Sequence, residues 1–90
     1  MRISKFLKTT TVKLLLFIYK NEKVRYKDLS NIVNSRGSLS NSLKYLISDG
    51  LVIRKVDADK IPIESYYFLS EKGKKIAFHL EAVIDLLDIF

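Results

Sequence analysis

Near its middle the chain reads Leu43-Lys44-Tyr45-Leu46-Ile47-Ser48-Asp49-Gly50-Leu51-Val52. This stretch combines features of a helix end with features of a strand start. Glycine tolerates the left-handed backbone that commonly ends a helix. If Gly50 takes that C′ position, Leu51 takes C″ and Leu46 takes C3, the apolar pair that accompanies a Schellman motif. The sequence therefore predicts a helix that stops just before Gly50 and a strand that begins directly after it.

Upstream of this stop, the sequence predicts two short helices joined by a tight turn. The helix before the stop runs from about Arg36 to Ser48 and has Ser35 as its N-cap. A shorter helix covers about Lys27 to Val33, with the favourable charge of Asp28 in its first turn. Two such helices, the second of them amphipathic, form a helix-turn-helix candidate. The predicted buried residues are Leu29, Ile32 and Val33 on the shorter helix and Leu39, Leu43, Leu46 and Ile47 on the helix before the stop.

An earlier helix is predicted from about Thr10 to Lys20, because apolar residues recur there at the spacing of one helical face. The remaining surface of this helix is also mostly apolar, which is typical of a helix covered by its own domain and by something else. Val24–Tyr26 reads as a short extended piece that leads into the next helix. The predicted buried face of the first helix consists of Val12, Leu15, Leu16 and Tyr19.

Downstream of the stop, the sequence predicts a β-hairpin and a last helix. Leu51–Val56 is rich in β-branched residues and Ser65–Leu69 in aromatic ones, so both read as strands on either side of a polar turn. Ser70 is a suitable N-cap for a helix that runs from about Glu71 to the carboxyl terminus. The fold class is therefore α+β and mainly α: a three-helix core, a hairpin and a terminal helix.

The last helix carries apolar residues at a 4-3-4-3 spacing. Sustained spacing of this kind favours contact with another helix. We expect residues 71–90 to form a dimerisation helix and the chain to be a homodimer, since soluble oligomers are most often twofold dimers. The alternative is that the stripe packs on the first helix of the same subunit. The residues of the predicted interface are Ile76, Leu80, Val83, Leu87 and Phe90.

The net charge of +6 is unevenly distributed along the chain. Residues 1–55 hold twelve Lys or Arg and three acids, a balance of +9, whereas residues 56–90 hold four Lys and seven acids, a balance of −3. A basic block is the footprint of a polyanion binder, although a solvated lysine-rich surface explains it equally well. No predicted helix pairs a strongly basic face with an apolar one, so we expect no membrane partner.

The helix over 36–48 has a polar outward face without acids. A helix of this kind fits the DNA major groove, where base edges are distinguishable. Asn41 can pair bidentately with adenine, Arg36 could reach guanine or phosphate, and Lys44 is more suited to phosphate. The alternative is an exposed, weakly helical surface without a ligand. The candidate contacts on this face are Arg36, Gly37, Ser38, Ser40, Asn41 and Lys44.

The sequence lacks the residues that most classes of enzyme require. There is no cysteine, and His79 is the only histidine, so a disulfide framework, a zinc site and a cysteine nucleophile are not expected. The sequence also has no glycine-rich phosphate loop. We expect no enzyme, no metal and no cofactor. The apolar run Leu14–Ile18 is too short for a secretory or membrane segment, so a cytoplasmic location is expected.

At three places the chain resembles the winged helix-turn-helix transcription regulators, the broad group that contains the MarR, ArsR and PadR types. The stretch 43–52 is similar to the end of the family's recognition helix, "L-x-x-L-x-x-x-G-L-V". The stretch 66–73 is similar to its passage from wing to last helix, "Y-x-L-T-x-x-G", and 9–15 to the opening of its first helix. The resemblance covers about residues 9–75 and implies a DNA-binding dimer whose third helix enters the major groove.

By position, the resemblance also implies wing contacts from Arg54 and Lys60. Asp57 and Asp59 depart from the pattern, because acids in the wing would repel phosphate. The expected protein is thus a single winged-helix domain over residues 1–90 that reads double-stranded DNA as a homodimeric transcriptional regulator. The competing interpretation is a winged helix that binds other proteins and not DNA.

Overall fold

The computed structural model describes residues 7–87 and shows the predicted winged helix-turn-helix fold. Three helices form the core, a hairpin forms the wing, and a further helix follows it. The elements, in chain order, are α1 (Thr9–Asn21), β1 (Val24–Arg25), α2 (Tyr26–Ile32), α3 (Arg36–Ser48), β2 (Val52–Asp57), β3 (Glu64–Leu69) and α4 (Glu71–Leu87). None of the helices in residues 7–87 has the length and apolar character needed to cross a bilayer.

The buried face of α1 is offset by one residue from the predicted one. Thr11, Leu14 and Ile18 are fully buried, whereas Leu16 and Tyr19 are only half-buried, so the prediction was wrong for the last two. Because α1 is apolar nearly all round, its periodicity did not determine which side faces inward. The fully buried side chains of the core are Thr11, Leu14, Leu15, Ile18, Leu29, Leu39, Leu46 and Val52.

The α3 helix has the predicted bounds, but one position of its buried stripe was wrong. Ile47 is 37% exposed, and Ser42 is buried in its place. The small Ser42 side chain faces α1, where its Oγ accepts a hydrogen bond from Thr11 Oγ1 at 3.3 Å. A buried hydroxyl needs such a partner, since an unpaired one costs about 1–3 kcal/mol. The polar pair therefore lies on the side of α1 that meets α3.

Both predicted ends of α3 are confirmed. Ser35 Oγ accepts from the Ser38 N–H at 3.2 Å and caps the first turn. At the other end, Gly50 has a φ of 73°, the left-handed value that the Schellman motif needs. The Leu51 N–H donates to the Leu46 carbonyl at 2.9 Å, and the Gly50 N–H donates to the Ile47 carbonyl at 3.0 Å. These two bonds turn the chain directly into β2.

The strands form a three-stranded antiparallel sheet in the order β1-β3-β2. Successive residues of a strand point to opposite faces, so the register assigns each side chain to one face. The inner face carries the buried residues Val24, Val52, Tyr67 and Leu69, and Arg54 lies opposite Tyr67 on this face. The outer face carries Glu64, Tyr66 and Phe68. The pairing of β1 with β3 was not predicted.

The start of α4 is joined to the end of α3 at one tight contact. Ser70 Oγ caps α4 by accepting from the Gly73 N–H at 3.1 Å, as predicted, and it also donates to the Gly50 carbonyl. The Ser70 N–H donates to the Leu51 carbonyl at 3.0 Å. Gly73 is buried so close to Leu51 that a Cβ would lie 2.1 Å from the Leu51 carbonyl oxygen. The glycine is therefore required by packing.

The apolar stripe of α4 divides between two roles. Ala77 is buried, and Ile76 and Leu80 are half-buried against the core of the same chain. Val83 and Leu87 are 48% and 61% exposed. Packing within one subunit thus accounts for the first part of the predicted interface. The exposed part is not covered by the described residues of the same chain, and Phe90 lies outside those residues.

Candidate nucleic-acid interface

All six candidate contacts on α3 are exposed, as predicted: Arg36, Gly37, Ser38, Ser40, Asn41 and Lys44. This follows from the helical period, because burial of Leu39, Ser42, Leu43 and Leu46 turns the positions between them outward. The open surroundings of Gly37 contrast with those of Gly73, since a Cβ on Gly37 would meet only Ser35 Oγ, at 3.8 Å. The result is a continuous polar surface at the amino-terminal end of α3.

The two cations of this surface are available to an anionic ligand. Within residues 7–87, neither Arg36 nor Lys44 forms an ion pair. The amino-terminal end of a helix also carries partial positive charge from its free N–H groups. Because Asn41 is exposed on α3 together with these two cations, one helix surface offers groups for phosphate and a group for base edges.

The structure separates the two predicted wing contacts. Arg54 lies on the inner face of the sheet and is exposed where the wing extends past the core, and its Nη2 donates to Ser65 Oγ at 3.0 Å. Lys60 instead turns to the outer face. Its Nζ lies 3.7 Å from a Glu64 carboxylate oxygen and 5.9 Å from the centroid of the Tyr66 ring. Arg54 and Lys60 therefore do not form one surface.

A cluster of charges on the outer face was not predicted. We call it the Glu64 cluster. Glu64 accepts a hydrogen bond from the Tyr66 hydroxyl at 2.6 Å and lies 3.7 Å from Arg25 as well as from Lys60. Lys23 lies 4.5 Å above the centroid of the Tyr66 ring. The spacing of Glu64 and Tyr66, two residues apart in one strand, was the available signal, since such residues share a face. Part of the basic charge of the chain thus contacts Glu64 and Tyr66 on the outer face of the sheet.

The Glu64 cluster predicts a pH-dependent contribution to stability. The Tyr66 hydroxyl, and then the Lys60 and Arg25 charges, hold the pKa of Glu64 below its ordinary value of 4.5. A carboxyl with a lowered pKa stabilises the fold above its unfolded pKa, and that stabilisation is lost as the pH falls through the folded pKa. We expect Glu64→Gln to lower the free energy of unfolding at pH 6 and to match the unsubstituted protein at a pH well below 4.5.

Urea unfolding at both pH values would measure this difference. The matched variant is Tyr66→Phe, which removes the hydrogen bond to Glu64 but leaves both cations in place. It should remove the larger part of the pH-dependent difference. A gap between Glu64→Gln and the unsubstituted protein that stays constant over this range would contradict the assignment.

A curated protein is similar to part of this chain. Over 45 residues the chain is 38% identical to the CCA-adding enzyme of Ligilactobacillus salivarius (strain UCC118). The match covers 50% of this chain but only 11% of that enzyme, so the chain spans about a tenth of its length.

Solved structures resemble the whole fold. A MarR-family transcriptional regulator from Porphyromonas gingivalis W83 has a TM-score of 0.75 and 24% identity, over 92% of this chain and 81% of that one. The F-93 protein of SSV1 has a TM-score of 0.72 and 26% identity, over 91% of this chain and 92% of that one.

The sequence of the chain also matches a protein family, in agreement with the helix-turn-helix geometry and with these shared folds. The family described as HxlR-like helix-turn-helix matches residues 8–90, which is nearly the whole chain. The chain therefore belongs to the HxlR-like helix-turn-helix family, and its fold is that of winged-helix transcriptional regulators.

Proposed function

We propose that this protein is a homodimeric transcriptional regulator that binds double-stranded DNA in a sequence-specific manner through α3. The observation that carries the proposal is the outward face of α3, which is exposed, polar and free of acids, with two cations that form no ion pair within residues 7–87. The major groove is about 12 Å wide and admits a helix of this size. The function is therefore one of binding and needs no catalytic group.

Each side chain of this face has a distinct proposed role. Asn41 reads adenine, because its amide can donate to N7 and accept from N6 in one plane. Lys44 and Arg36 contact phosphate, which fixes the register of the helix on the duplex. Ser38 and Ser40 are short enough for the helix backbone to approach the bases closely. Gly37 adds to this close approach, since it has no side chain.

The wing contact is assigned to Arg54. Its place on the inner face puts it on the side of the sheet that carries the core and α3. Lys60 is a contact only if its ion pair with Glu64 opens, which adds an energetic cost. In the acidic turn, Asp57 accepts from the Asp59 N–H at 3.1 Å, so this carboxylate has a structural partner within the turn.

A twofold dimer would place two α3 helices about 34 Å apart, which matches a palindromic site with half-sites one helical turn apart. The exposed apolar residues of α4 support dimerisation, because Leu86 and Leu87 are 86% and 61% exposed. A regulator of this kind works where the DNA is, so a cytoplasmic location is part of the proposal.

The test is fluorescence anisotropy of a labelled random-sequence duplex, titrated with the protein at several salt concentrations. A dimer that neutralises six to ten phosphates should lose affinity by about 10³–10⁵-fold between 50 and 200 mM salt. An absence of binding even at low salt would overturn the proposal.

That negative outcome would favour a protein-interaction module. Ile61 and Ile63 in the wing loop are 99% and 65% exposed, and exposed apolar side chains of this size are common at protein contacts.

A further inference from the structure

The outer face of the sheet combines aromatic side chains with cations. The register places Tyr66 between Arg25 of β1 and Lys55 of β2. Phe68, two residues further along β3, lies in the next row opposite Ile53. Both aromatic side chains are only half-buried, so each keeps some surface open to solvent. The proposed contact with duplex DNA uses the other face of the sheet and leaves these side chains without a role.

An open cavity of about 660 Å³ lies against the outer face. The side chains that line it include two aromatic residues and two lysines: Tyr66, Phe68, Lys23 and Lys55. Cavities that hold small organic ligands measure about 300–1,000 Å³, so this cavity has room for a nucleotide.

A second cavity continues from Phe68 toward the end of α1. It measures about 470 Å³, and Phe68 lines both cavities. Tyr19 adds a third aromatic ring, and Lys74 adds a third lysine, which also contacts Glu71. Aromatic rings and cations therefore recur along one path, as they do where successive nucleotides of a single strand are bound.

The two lysines of the first cavity are available to phosphate. Lys23 and Lys55 are exposed, and neither forms an ion pair within residues 7–87. Lys23 Nζ lies 4.5 Å from the centroid of the Tyr66 ring, so a positive charge and a stacking surface are side by side. A nucleotide needs this combination, because its sugar holds the base and the phosphate a short distance apart.

The acids near this face lie at its two ends. Asp57 and Asp59 line the first cavity from the turn of the wing, and Glu22 lines the second cavity from the end of α1. Glu64 is already bound by the two cations and the hydroxyl of its own cluster. Carboxylates repel phosphate, so the phosphates are expected beside Tyr66 and not at the ends.

We propose that the outer face of the sheet binds single-stranded nucleic acid. Its bases stack on Tyr66 and Phe68, because every base has a π face and such stacking tolerates any sequence. Its phosphates lie at Lys23 and Lys55. A duplex does not fit this site, since its bases are stacked on one another and cannot reach the rings. An acidic peptide would use the lysines but would leave the rings unused.

The single strand is bound independently of duplex DNA. The inner face of the sheet carries the core and Arg54, whereas the two rings lie on the outer face. One protein molecule would thus hold a duplex through α3 and a single strand through the sheet at the same time. This activity goes beyond the proposed reading of duplex DNA and does not depend on it.

The test is fluorescence anisotropy of labelled oligothymidylate and oligouridylate, each of about eight nucleotides, titrated with the whole chain. Phe68→Leu keeps an apolar side chain in the half-buried position but removes the ring, and it should weaken binding by about fivefold or more. Tyr66→Leu should have a similar effect, whereas Tyr66→Phe keeps the ring and should bind as the unsubstituted protein does. Binding of either oligonucleotide with this pattern supports the proposal, and the better ligand identifies the preferred sugar.

The lysines are tested by the dependence on salt. Lys23→Ala and Lys55→Ala should each lower the slope of log affinity against log salt by about 0.7, the value for one phosphate of a single strand. Lys13→Ala is the matched control, because it removes an exposed cation of α1 that lines neither cavity. It should leave the slope unchanged. Circular dichroism confirms that each variant is folded.

Three results would overturn the inference. A chain that binds neither oligonucleotide at about 50 mM salt would have no single-strand site, and its outer face would be left to a protein partner. Binding that survives both leucine substitutions would show that the rings do not stack on bases. Loss of single-strand binding in the double variant Asn41→Ala with Lys44→Ala would place the strand on α3. The duplex titration measures the proposed function separately, so either can fail without the other.

Discussion

The Gly73→Ala variant should lose about 3 kcal/mol of unfolding free energy, and its Tm should fall by about 15 °C. The added Cβ would lie 2.1 Å from the Leu51 carbonyl oxygen and 3.0 Å from its carbonyl carbon. Both atoms are backbone, so no flexible side chain can move to make room. The first turn of α4 would have to lift from the end of α3. That shift would also break the Ser70 hydrogen bonds to the Gly50 and Leu51 carbonyls.

The other two glycines supply matched controls for this effect. A Cβ on Gly50 meets nothing within 4 Å, but the φ of 73° is unfavourable for alanine, so Gly50→Ala should cost about 1–2 kcal/mol. Gly37 lies in the first turn of α3 with open space around it, so Gly37→Ala should be neutral or stabilise by up to about 1 kcal/mol. The expected order of stability is Gly37→Ala, Gly50→Ala, Gly73→Ala.

Thermal and urea unfolding of the three variants would establish that order. Equal losses at Gly73 and Gly50 would mean that the contact with Leu51 relaxes at a cost no larger than the backbone strain at Gly50, because Gly73 itself has helical backbone. A Gly73→Ala protein as stable as the original would show that α4 does not pack on the Leu51 carbonyl.

The features that could be predicted from the sequence are those with local causes. Three residues cap or end a helix through hydrogen bonds to residues a few positions away: Ser35, Gly50 and Ser70. The exposed face of α3 could be predicted for the same reason. Its buried leucines alternate clearly with polar residues, so the helical period alone turns Asn41 and Lys44 outward.

The errors concern contacts between distant parts of the chain. The inward side of α1 was ambiguous because nearly all of its positions are apolar, and that side includes a hydrogen bond from Thr11 to Ser42, thirty-one positions away. The face on which Lys60 lies depends on the path of the wing loop and on the register of β2 against β3. Neither can be derived from periodicity, and so the Glu64 cluster was missed.

The double variant Asn41→Ala with Lys44→Ala should abolish binding to the preferred duplex without unfolding the domain, because both side chains are exposed. The two single variants should affect DNA binding in different ways. Asn41→Ala removes a bidentate contact and should cost about 1–3 kcal/mol of discrimination at one base pair of each half-site. Lys44→Ala should weaken all sequences alike and lower the slope of log affinity against log salt by about 1 per half-site.

These two signatures can be separated by titrating a preferred and a scrambled duplex at three salt concentrations. Lys75→Ala is the matched control, since it removes one positive charge from α4 and should change both affinities little. An Asn41→Ala protein that keeps its preference between the two duplexes would show that base reading lies elsewhere. If Lys44→Ala instead lost preference at an unchanged salt slope, the lysine would be the base reader, because only a phosphate contact contributes to counterion release. The roles of the two side chains are thus decided by different observables in one experiment.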